Sequence, residues 1–189
     1  MLIPEHLRQR LEAARTHPRR RPASIEPAGP GEESVWDFPR PPRVELVSEE
    51  MAVFFAGRCI ARTRDGARVV ETAGAPVYYF PPEDVAPSVL HPAGAGASLC
   101  EWKGFATYFD LEVDGRRSAQ AAFSYPDPFD DLGQGYGRIA RRIAFYASRV
   151  EEARLGDTIV TPQPGGYYAG WVKPNLRGPI KGAPGSEGW

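Results

Sequence analysis

The stretch 98-SLCEWKGFATYFDLEVDG-115 decides the fold, because a row of polar side chains runs into an apolar alternation and then into a turn signal. Counting by two places one set of residues on the same face of an extended strand: Glu101, Lys103, Phe105, Thr107, Phe109, Leu111 and Val113. The apolar members mark this as the core face. A continuous strand would therefore turn Glu101 and Lys103 inward at its open end, where charged side chains indicate the mouth of a pocket.

Gly104 leaves a second arrangement open. A bulge at this glycine would exchange the two faces and turn Cys100 and Trp102 inward instead. The sequence does not choose between the two arrangements. Downstream, Asp114-Gly115 is a strong hairpin signal and predicts a return strand over 117-RSAQAAFSY-125.

Further strands are predicted on both sides of this hairpin, at 44-VELV-47, 52-AVFFAGRCIARTR-64, 67-ARVVET-72 and 77-VYYF-80. Turns are expected at Ala56-Gly57-Arg58, Asp65-Gly66 and Gly156-Asp157. The 20 glycines and 20 prolines among 189 residues also favour many turns. We therefore predict a mainly β protein: a single compact antiparallel domain over residues 34–189, with short helices and an irregular C-terminal strap over residues 163–189.

The N-terminal part, residues 1–33, differs in character. Ile3, Leu7, Leu11 and Ala14 follow helical spacing and predict one amphipathic helix. The following 16-THPRRRPASIEPAGPGEES-34 is rich in proline, glycine and charge, which is typical of a linker or surface arm. One hypothesis for this part is an interaction module that recruits a partner, or a homodimer formed through Ile3, Leu7 and Leu11.

Composition excludes several classes of protein. The net charge of −1 provides no general attraction to nucleic acid or to an anionic membrane. Two cysteines and three histidines without ligand spacing exclude a structural zinc site, and we expect no metal or cofactor. There is no long apolar run or secretory signal, so we expect a cytoplasmic protein in which Cys59 and Cys100 are free thiols.

The main candidate site is a cleft lined by aromatic rings and one ammonium: Tyr78, Tyr79, Cys100, Trp102, Lys103, Tyr108 and Tyr125. Rings around a single cation suit a planar or anionic small molecule, for instance a nucleotide-like or acidic one. The simpler interpretation is that the tyrosines are ordinary half-buried strand residues and that Lys103 pairs with Glu101. For Cys100, an unreactive buried thiol is favoured over a nucleophile, because only Lys103 is near enough in sequence to activate it.

Two weaker patterns point to phosphate chemistry. Asp110 and Glu112 lie two apart on one strand face and could hold magnesium in a nucleotidyltransferase-like enzyme. The simpler interpretation is a solvated strand end. The glycines of 133-GQGYGRIARR-142 precede a short basic segment and could form an anion site, although a flexible loop is the favoured interpretation.

Five motifs occur in order along the chain: SVWDFPRPPRVE, YYFPPEDV, CEWKGFATYFD, AAFSYPDP and IAFYASRV. Together they resemble domain-of-unknown-function family 427, which some classifications label nucleotidyltransferase-like. The resemblance covers residue 34 to the C-terminus and implies a β-tent-like fold, in which two antiparallel sheets splay from a common ridge. It also implies a metal-free version of that fold, since the cysteine pairs of metal-binding members are absent. The preferred prediction is a small-ligand-binding β domain, with no catalytic residue assigned.

Overall fold

The computed structural model describes residue 3, residues 5–94 and residues 96–189, so residues 1, 2 and 4 of the N-terminal part and residue 95 lie outside the description. Within the described residues, the helical elements are α1 (Glu5–Thr16) and three short 3-10 helices (Pro82–Asp84, Tyr136–Ile139 and Ala147–Arg149). The strands are β1 (Glu33–Ser34), β2 (Arg43–Val47), β3 (Met51–Phe55), β4 (Arg58–Thr63), β5 (Gly66–Val70), β6 (Val77–Phe80), β7 (Leu90–Pro92), β8 (Ser98–Cys100), β9 (Gly104–Val113), β10 (Arg116–Ser124), β11 (Ile143–Phe145), β12 (Glu152–Leu155), β13 (Thr158–Ile159), β14 (Thr161–Pro162), β15 (Trp171–Val172) and β16 (Leu176–Arg177).

Two sheets form the body of the protein. The larger has the order β2-β5-β6-β11-β10-β9-β7, with β8 added on β9, and the smaller has the order β13-β12-β3-β4. Two short pairs complete the structure, β14 with β15 and β1 with β16, and the β1–β16 pair is the one parallel pairing among the described strands. The prediction of a mainly β, antiparallel fold is confirmed.

The larger sheet is apolar on both faces, and this property creates the site. Successive strand residues point to opposite faces, so Phe80 faces the four-stranded sheet while its neighbour Tyr79 faces away from it. The core between the sheets includes Phe80, Leu111 and Phe145 from the larger sheet and Val53 from the smaller. A second cluster, which includes Tyr79, covers the outer face of the larger sheet.

Three of the predicted turns are hairpins in the structure. At Asp114-Gly115, Val113 pairs with Arg116 and both turn residues have positive φ angles of 50° and 78°, as a type I′ turn requires. The turns at residues 56–57 and 156–157 likewise join β3 to β4 and β12 to β13. At residues 65–66, by contrast, the chain crosses from the four-stranded to the eight-stranded sheet, because β4 and β5 belong to different sheets.

The opening stretch is a hairpin, so neither arrangement left open by the sequence, a continuous strand or a strand with a bulge at Gly104, is correct. Cys100 pairs with Gly104 across a turn made by residues 101–103, and Gly104 has a φ of +88°. The reversal separates Lys103 from the core face that carries Leu111, and Phe105 is 38% exposed. The break that the sequence indicated at Gly104 is real, but it is a chain reversal rather than a bulge. Trp102 is buried as that alternative expected, with only 4% of its surface exposed.

Helix α1 docks on the same chain. Leu7 and Leu11 are buried against Phe129, which confirms the predicted amphipathic helix and shows where its apolar face lies. These two leucines are covered within one chain, and a homodimer through them stays a prediction. None of the helices in the described part of the chain has the length and apolar character needed to cross a membrane.

The two ends of the chain run together over the outer side of the larger sheet. The Arg20 N–H donates to the Gly188 carbonyl at 2.7 Å, and β1 pairs with β16. The C-terminal segment also reaches the core, because Trp171 is fully buried and stacks on Tyr78 at a ring separation of 5.2 Å. The segment predicted as a strap therefore packs partly inside the domain.

Candidate functional site

A cavity of about 650 Å³ lies on the outer face of the eight-stranded sheet. Strand residues such as Val69, Tyr79 and Phe123 form its floor. Its rim comes from the N-terminal arm, through Arg19, and from the C-terminal segment, through Gln163, Tyr167, Tyr168, Lys181 and Trp189. Because the floor belongs to a hydrogen-bonded sheet, the side chains on it are held in fixed positions.

Five of the seven sequence-predicted site residues line this cavity: Tyr79, Cys100, Lys103, Tyr108 and Tyr125. They come from separate elements, β6, the β8–β9 hairpin, β9 and the end of β10. The sheet order brings these elements side by side, with β6, β11, β10 and β9 as consecutive neighbours. The structure thus places the predicted lysine and three of the four predicted tyrosines around one hollow.

The other two predicted residues lie elsewhere. Tyr78 faces the core between the sheets, where it stacks on Trp171. The Trp102 indole lies between two guanidinium groups, with the Cζ atoms of Arg15 and Arg40 at 5.4 and 4.9 Å from the ring centroid. Trp102 therefore anchors α1 to the sheet and does not line the cavity.

Lys103 is 92% buried and is not paired with Glu101, contrary to the simpler interpretation of the sequence. The Glu101 carboxylate contacts Arg40 at 3.2 Å and Arg19 at 3.6 Å. Among the residues that the structure describes, no carboxylate lies within 4.0 Å of Lys103 Nζ; the ammonium instead faces the Tyr125 ring, 5.7 Å from its centroid. A buried cation without a carboxylate partner is costly and rare. The Lys103 ammonium beside the Tyr125 ring is therefore the main chemical feature of the site.

The ionisation states follow from burial and neighbouring charge. Burial raises the pKa of Tyr79 and of Tyr125 well above the ordinary phenol value, so both phenols are neutral at physiological pH. Burial alone would lower the pKa of Lys103, but electrostatic attraction to Cys100, Tyr79 and Glu71 outweighs it and shifts this pKa upward. Tyr79 contributes only where its phenol is ionised, so at physiological pH the Glu71 carboxylate remains as a negative charge that stabilises the ammonium. The hollow therefore contains an ammonium among neutral phenols.

A second lysine, Lys181, reaches the cavity from the C-terminal segment. Its Nζ lies 4.9 Å from the Tyr168 ring centroid and 3.9 Å from the Glu71 carboxylate. Burial lowers the pKa of Lys181 more than the attraction to Glu71 raises it. Glu71 is itself held by Arg40 at 2.5 Å. Among the described lining residues, four carry a cationic side chain and two a carboxylate: Arg19, Lys103, Arg149 and Lys181 against Glu71 and Glu101.

Sequence reasoning missed several lining residues: Arg19, Glu71, Phe123, Tyr146, Arg149 and Lys181. One signal was available for Phe123, which lies two positions before Tyr125 on the return strand and so shares its face. Arg19 and Lys181 lie in segments without periodicity, and only the folded chain brings them to the sheet.

Cys100 is half-buried at the edge of the cavity. Its Sγ lies 3.8 Å from a Glu101 carboxylate oxygen, and no histidine is among the lining residues that the structure describes. The Glu101 carboxylate and the Lys103 ammonium are nevertheless its neighbours, so the interpretation of Cys100 as an unreactive thiol stays a prediction. Cys59 is exposed on β4, and both cysteines are free thiols.

The two patterns that pointed to phosphate chemistry have structural partners. Asp110 accepts hydrogen bonds from Arg117 at 2.9 Å and from the Gln120 N–H at 2.8 Å, and Glu112 lies 3.7 Å from Arg117. Within the described part of the chain, no group of three or more metal-ligating side chains could hold an ion.

In the GQGYG segment, the Asp130 carboxylate accepts the backbone N–H groups of Gly135 and Tyr136 at 2.9 and 3.2 Å. The donors that an anion would need there are therefore already used by a carboxylate. The segment is a turn stabilised by its own aspartate.

These features define a class of protein: a mainly β domain with an aromatic, cation-rich cavity on the outer face of its larger sheet. A family model described as a domain of unknown function, DUF427, matches residues 43–156, which is more than half of the chain, and the protein belongs to this family. A comparison with functionally curated proteins finds no match. Function has to be argued from the cavity itself.

Proposed function

We propose that the protein binds a small anionic ligand with a planar or apolar body in the cavity beside Lys103. The observation that carries this proposal is the Lys103 ammonium, which is buried against the Tyr125 ring with no carboxylate partner among the described residues. A ligand carboxylate or phosphate would supply the missing counter-charge.

Physical chemistry favours such a ligand on three grounds. A hydrogen bond between ionised groups is about twice as strong as one between neutral groups, and its value rises where water is excluded. The lining rings offer stacking surface for an apolar body, at a low cost in side-chain entropy because burial already fixes them. The excess of cations over carboxylates in the lining favours an anion over a cation.

The proposal can be tested by isothermal titration calorimetry of the full chain with biphenyl carboxylate, phenyl phosphate and the neutral analogue biphenyl methanol. We expect the two anions to bind and the neutral analogue to bind much more weakly. Lys103→Met should lower the affinity for the anions by roughly tenfold or more, because a charged hydrogen bond contributes about 1.5–3 kcal/mol.

Lys173→Met is the matched control. Lys173 is another lysine, but unlike Lys103 it has a carboxylate partner, Glu49 at 2.9 Å, and it lies outside the cavity lining. This variant should bind as the wild type does. Equal binding of the anions and the neutral analogue, or full affinity in folded Lys103→Met, would show that the buried ammonium is not the recognition element.

A further inference from the structure

A row of three aromatic rings with a cation at each end crosses the cavity floor. The Phe123 ring centroid is 5.9 Å from that of Tyr125 and 5.5 Å from that of Tyr146. Lys103 Nζ lies 5.7 Å from the Tyr125 centroid, and Arg149 Cζ lies 4.3 Å from the Tyr146 centroid. All five side chains line the same cavity. The floor is therefore apolar in the middle and positive at both ends.

Arg149 resembles Lys103 in lacking a carboxylate partner. Its Nη1 donates to the Gln120 carbonyl at 2.8 Å, and no carboxylate among the described residues lies within salt-bridge distance of it. A guanidinium has five N–H donors, and this contact uses one of them. Arginine also binds carboxylates and phosphates through two parallel hydrogen bonds, which a ligand at this end could accept.

An unusual backbone feature holds Arg149 in place. Gln120, which also lines the cavity, has a φ of +48°, and the pairing of β9 with β10 shifts register between Ser118 and Ala122. Asp110 accepts the Gln120 N–H, and the Gln120 carbonyl accepts from Arg149. Non-glycine residues keep positive φ angles only where the surroundings enforce them, often at binding sites. The bulge fixes the arginine at this end of the cavity.

The separation of the two cations follows from strand geometry. Arg149 contacts the backbone at Gln120, and Lys103 contacts the ring of Tyr125, five positions further along the same chain segment. With a rise of about 3.3 Å per strand residue, the backbone positions of residues 120 and 125 lie roughly 16 Å apart, or somewhat less across the bulge, and the Tyr125, Phe123 and Tyr146 rings lie between the two cations. A single carboxylate or phosphate cannot contact both cations.

We infer that the ligand of this cavity carries two anionic groups, one at each end of an elongated apolar or aromatic body, with one anion on Lys103 and the other on Arg149. This inference rests on the proposed function and specifies the class of ligand: a dianion with separated charges. A compact dianion, such as a single phosphate group, would leave one of the two cations without a partner.

The test is calorimetric titration of the full chain with straight-chain dicarboxylates of increasing length and with the monocarboxylates of the same carbon number. We expect dicarboxylate affinity to reach a maximum at one intermediate length, at least tenfold above the matched monocarboxylate. Arg149→Met should remove that maximum and bind the optimal dicarboxylate only as tightly as the wild type binds the monocarboxylate. Arg58→Met, at an exposed arginine outside the cavity, is the control and should keep the maximum.

The outcomes separate the two proposals. Suppose that monocarboxylates bind through Lys103 but dicarboxylates of every length bind no more tightly than the matched monocarboxylates. The inference is then wrong and the proposed function stands. The same holds if the tighter binding of a dicarboxylate survives Arg149→Met. If neither series binds while biphenyl carboxylate does, the inference is wrong and the proposed function stands; if biphenyl carboxylate and phenyl phosphate also fail to bind, both are wrong. Circular dichroism verifies that Arg149→Met is folded, and the length profile of the wild type tests the inference without any variant.

Discussion

Gly104 determines where the Lys103 side chain lies. Its φ of +88° lets the chain reverse directly after Lys103, which moves this side chain away from the core face of β9 and into the cavity on the outer face. A Cβ atom at this position would also come within 3.2 Å of the Phe129 ring. Two separate requirements, one for the backbone and one for packing, therefore disfavour a residue with a side chain at this position.

We expect Gly104→Ala to lower the free energy of unfolding by more than the roughly 1–2 kcal/mol that an L-residue loses in a left-handed conformation. The added contact with Phe129 is the reason for the larger loss. Urea denaturation of the wild type and of Gly104→Ala measures this difference in the free energy of unfolding.

Gly115→Ala provides the control for this experiment. Gly115 has a similar φ of +78°, but no atom lies within 4 Å of its Cβ position. The loss of free energy of unfolding in Gly115→Ala should therefore come from the backbone conformation alone. Equal losses in the two variants would mean that the Phe129 contact adds nothing, and that Gly104 is required only for its conformation.

At the scale of elements, one side chain near the C-terminal end of α1 makes the polar contacts that join the helix to the β8–β9 turn, beside the apolar contacts of Leu7 and Leu11. Arg15 donates from Nε to the Glu101 carbonyl at 2.7 Å and holds the Asp131 carboxylate with both terminal nitrogens, at 2.7 and 3.0 Å. Its guanidinium also stacks on the Trp102 ring. These bonds join the helix to the β8–β9 turn that carries Lys103.

Arg15→Ala is expected to lower the free energy of unfolding by about 1–3 kcal/mol, because hydrogen bonds to charged groups contribute on that scale. Hydrogen exchange should quicken in α1 before the rest of the protein. Arg10→Ala, on the exposed side of the same helix, should leave both measurements nearly unchanged, since arginine and alanine have similar helix propensities. Equal protection of α1 in the two variants would contradict a docking role for Arg15.

Local signals predicted the elements well, and long-range packing did not follow from them. Asp114-Gly115 and Gly156-Asp157 specify hairpins because the turn residues alone provide the required backbone conformations. The stretch after Ser98 was misread as one strand because the alternation of Phe105, Phe109 and Leu111 continues smoothly past Gly104. A glycine permits a reversal without requiring one, and only the contacts of the folded chain select it.

The candidate site was predictable where its residues lie on strands. Tyr79 and Tyr125 were found because rings beside proline or glycine breaks at strand ends can converge on a hollow, and β11 alone separates β6 from β10. Tyr78 was wrongly grouped with them, since two adjacent strand residues cannot face the same side of a sheet. Arg149 could not be found from the sequence, because its position depends on the bulge at Gln120 and on the order of strands in the sheet.

At the scale of the whole molecule, the two chain ends cover the larger sheet but contribute differently to it. Trp171, from the C-terminal segment, is fully buried, stacks on Tyr78 and donates from its indole nitrogen to the Phe145 carbonyl at 3.0 Å. The N-terminal part buries Leu7 and Leu11 in a small separate cluster with Phe129. The main core thus depends on the C-terminal segment and not on the N-terminal one.

We therefore expect opposite results from two truncations. A chain lacking residues 1–32 should stay folded with reduced stability, because it loses the small cluster, the bonds of Arg15 and the hydrogen bonds of the arm to the C-terminal segment, but no residue of the main core. A chain lacking residues 164–189 should not fold, since the loss of one large buried aromatic residue alone costs about 3–5 kcal/mol and the stability of a domain is commonly 5–15 kcal/mol. Near-ultraviolet circular dichroism and size-exclusion chromatography distinguish the outcomes. A cooperative thermal transition in the second fragment would show that the two sheets hold together without Trp171.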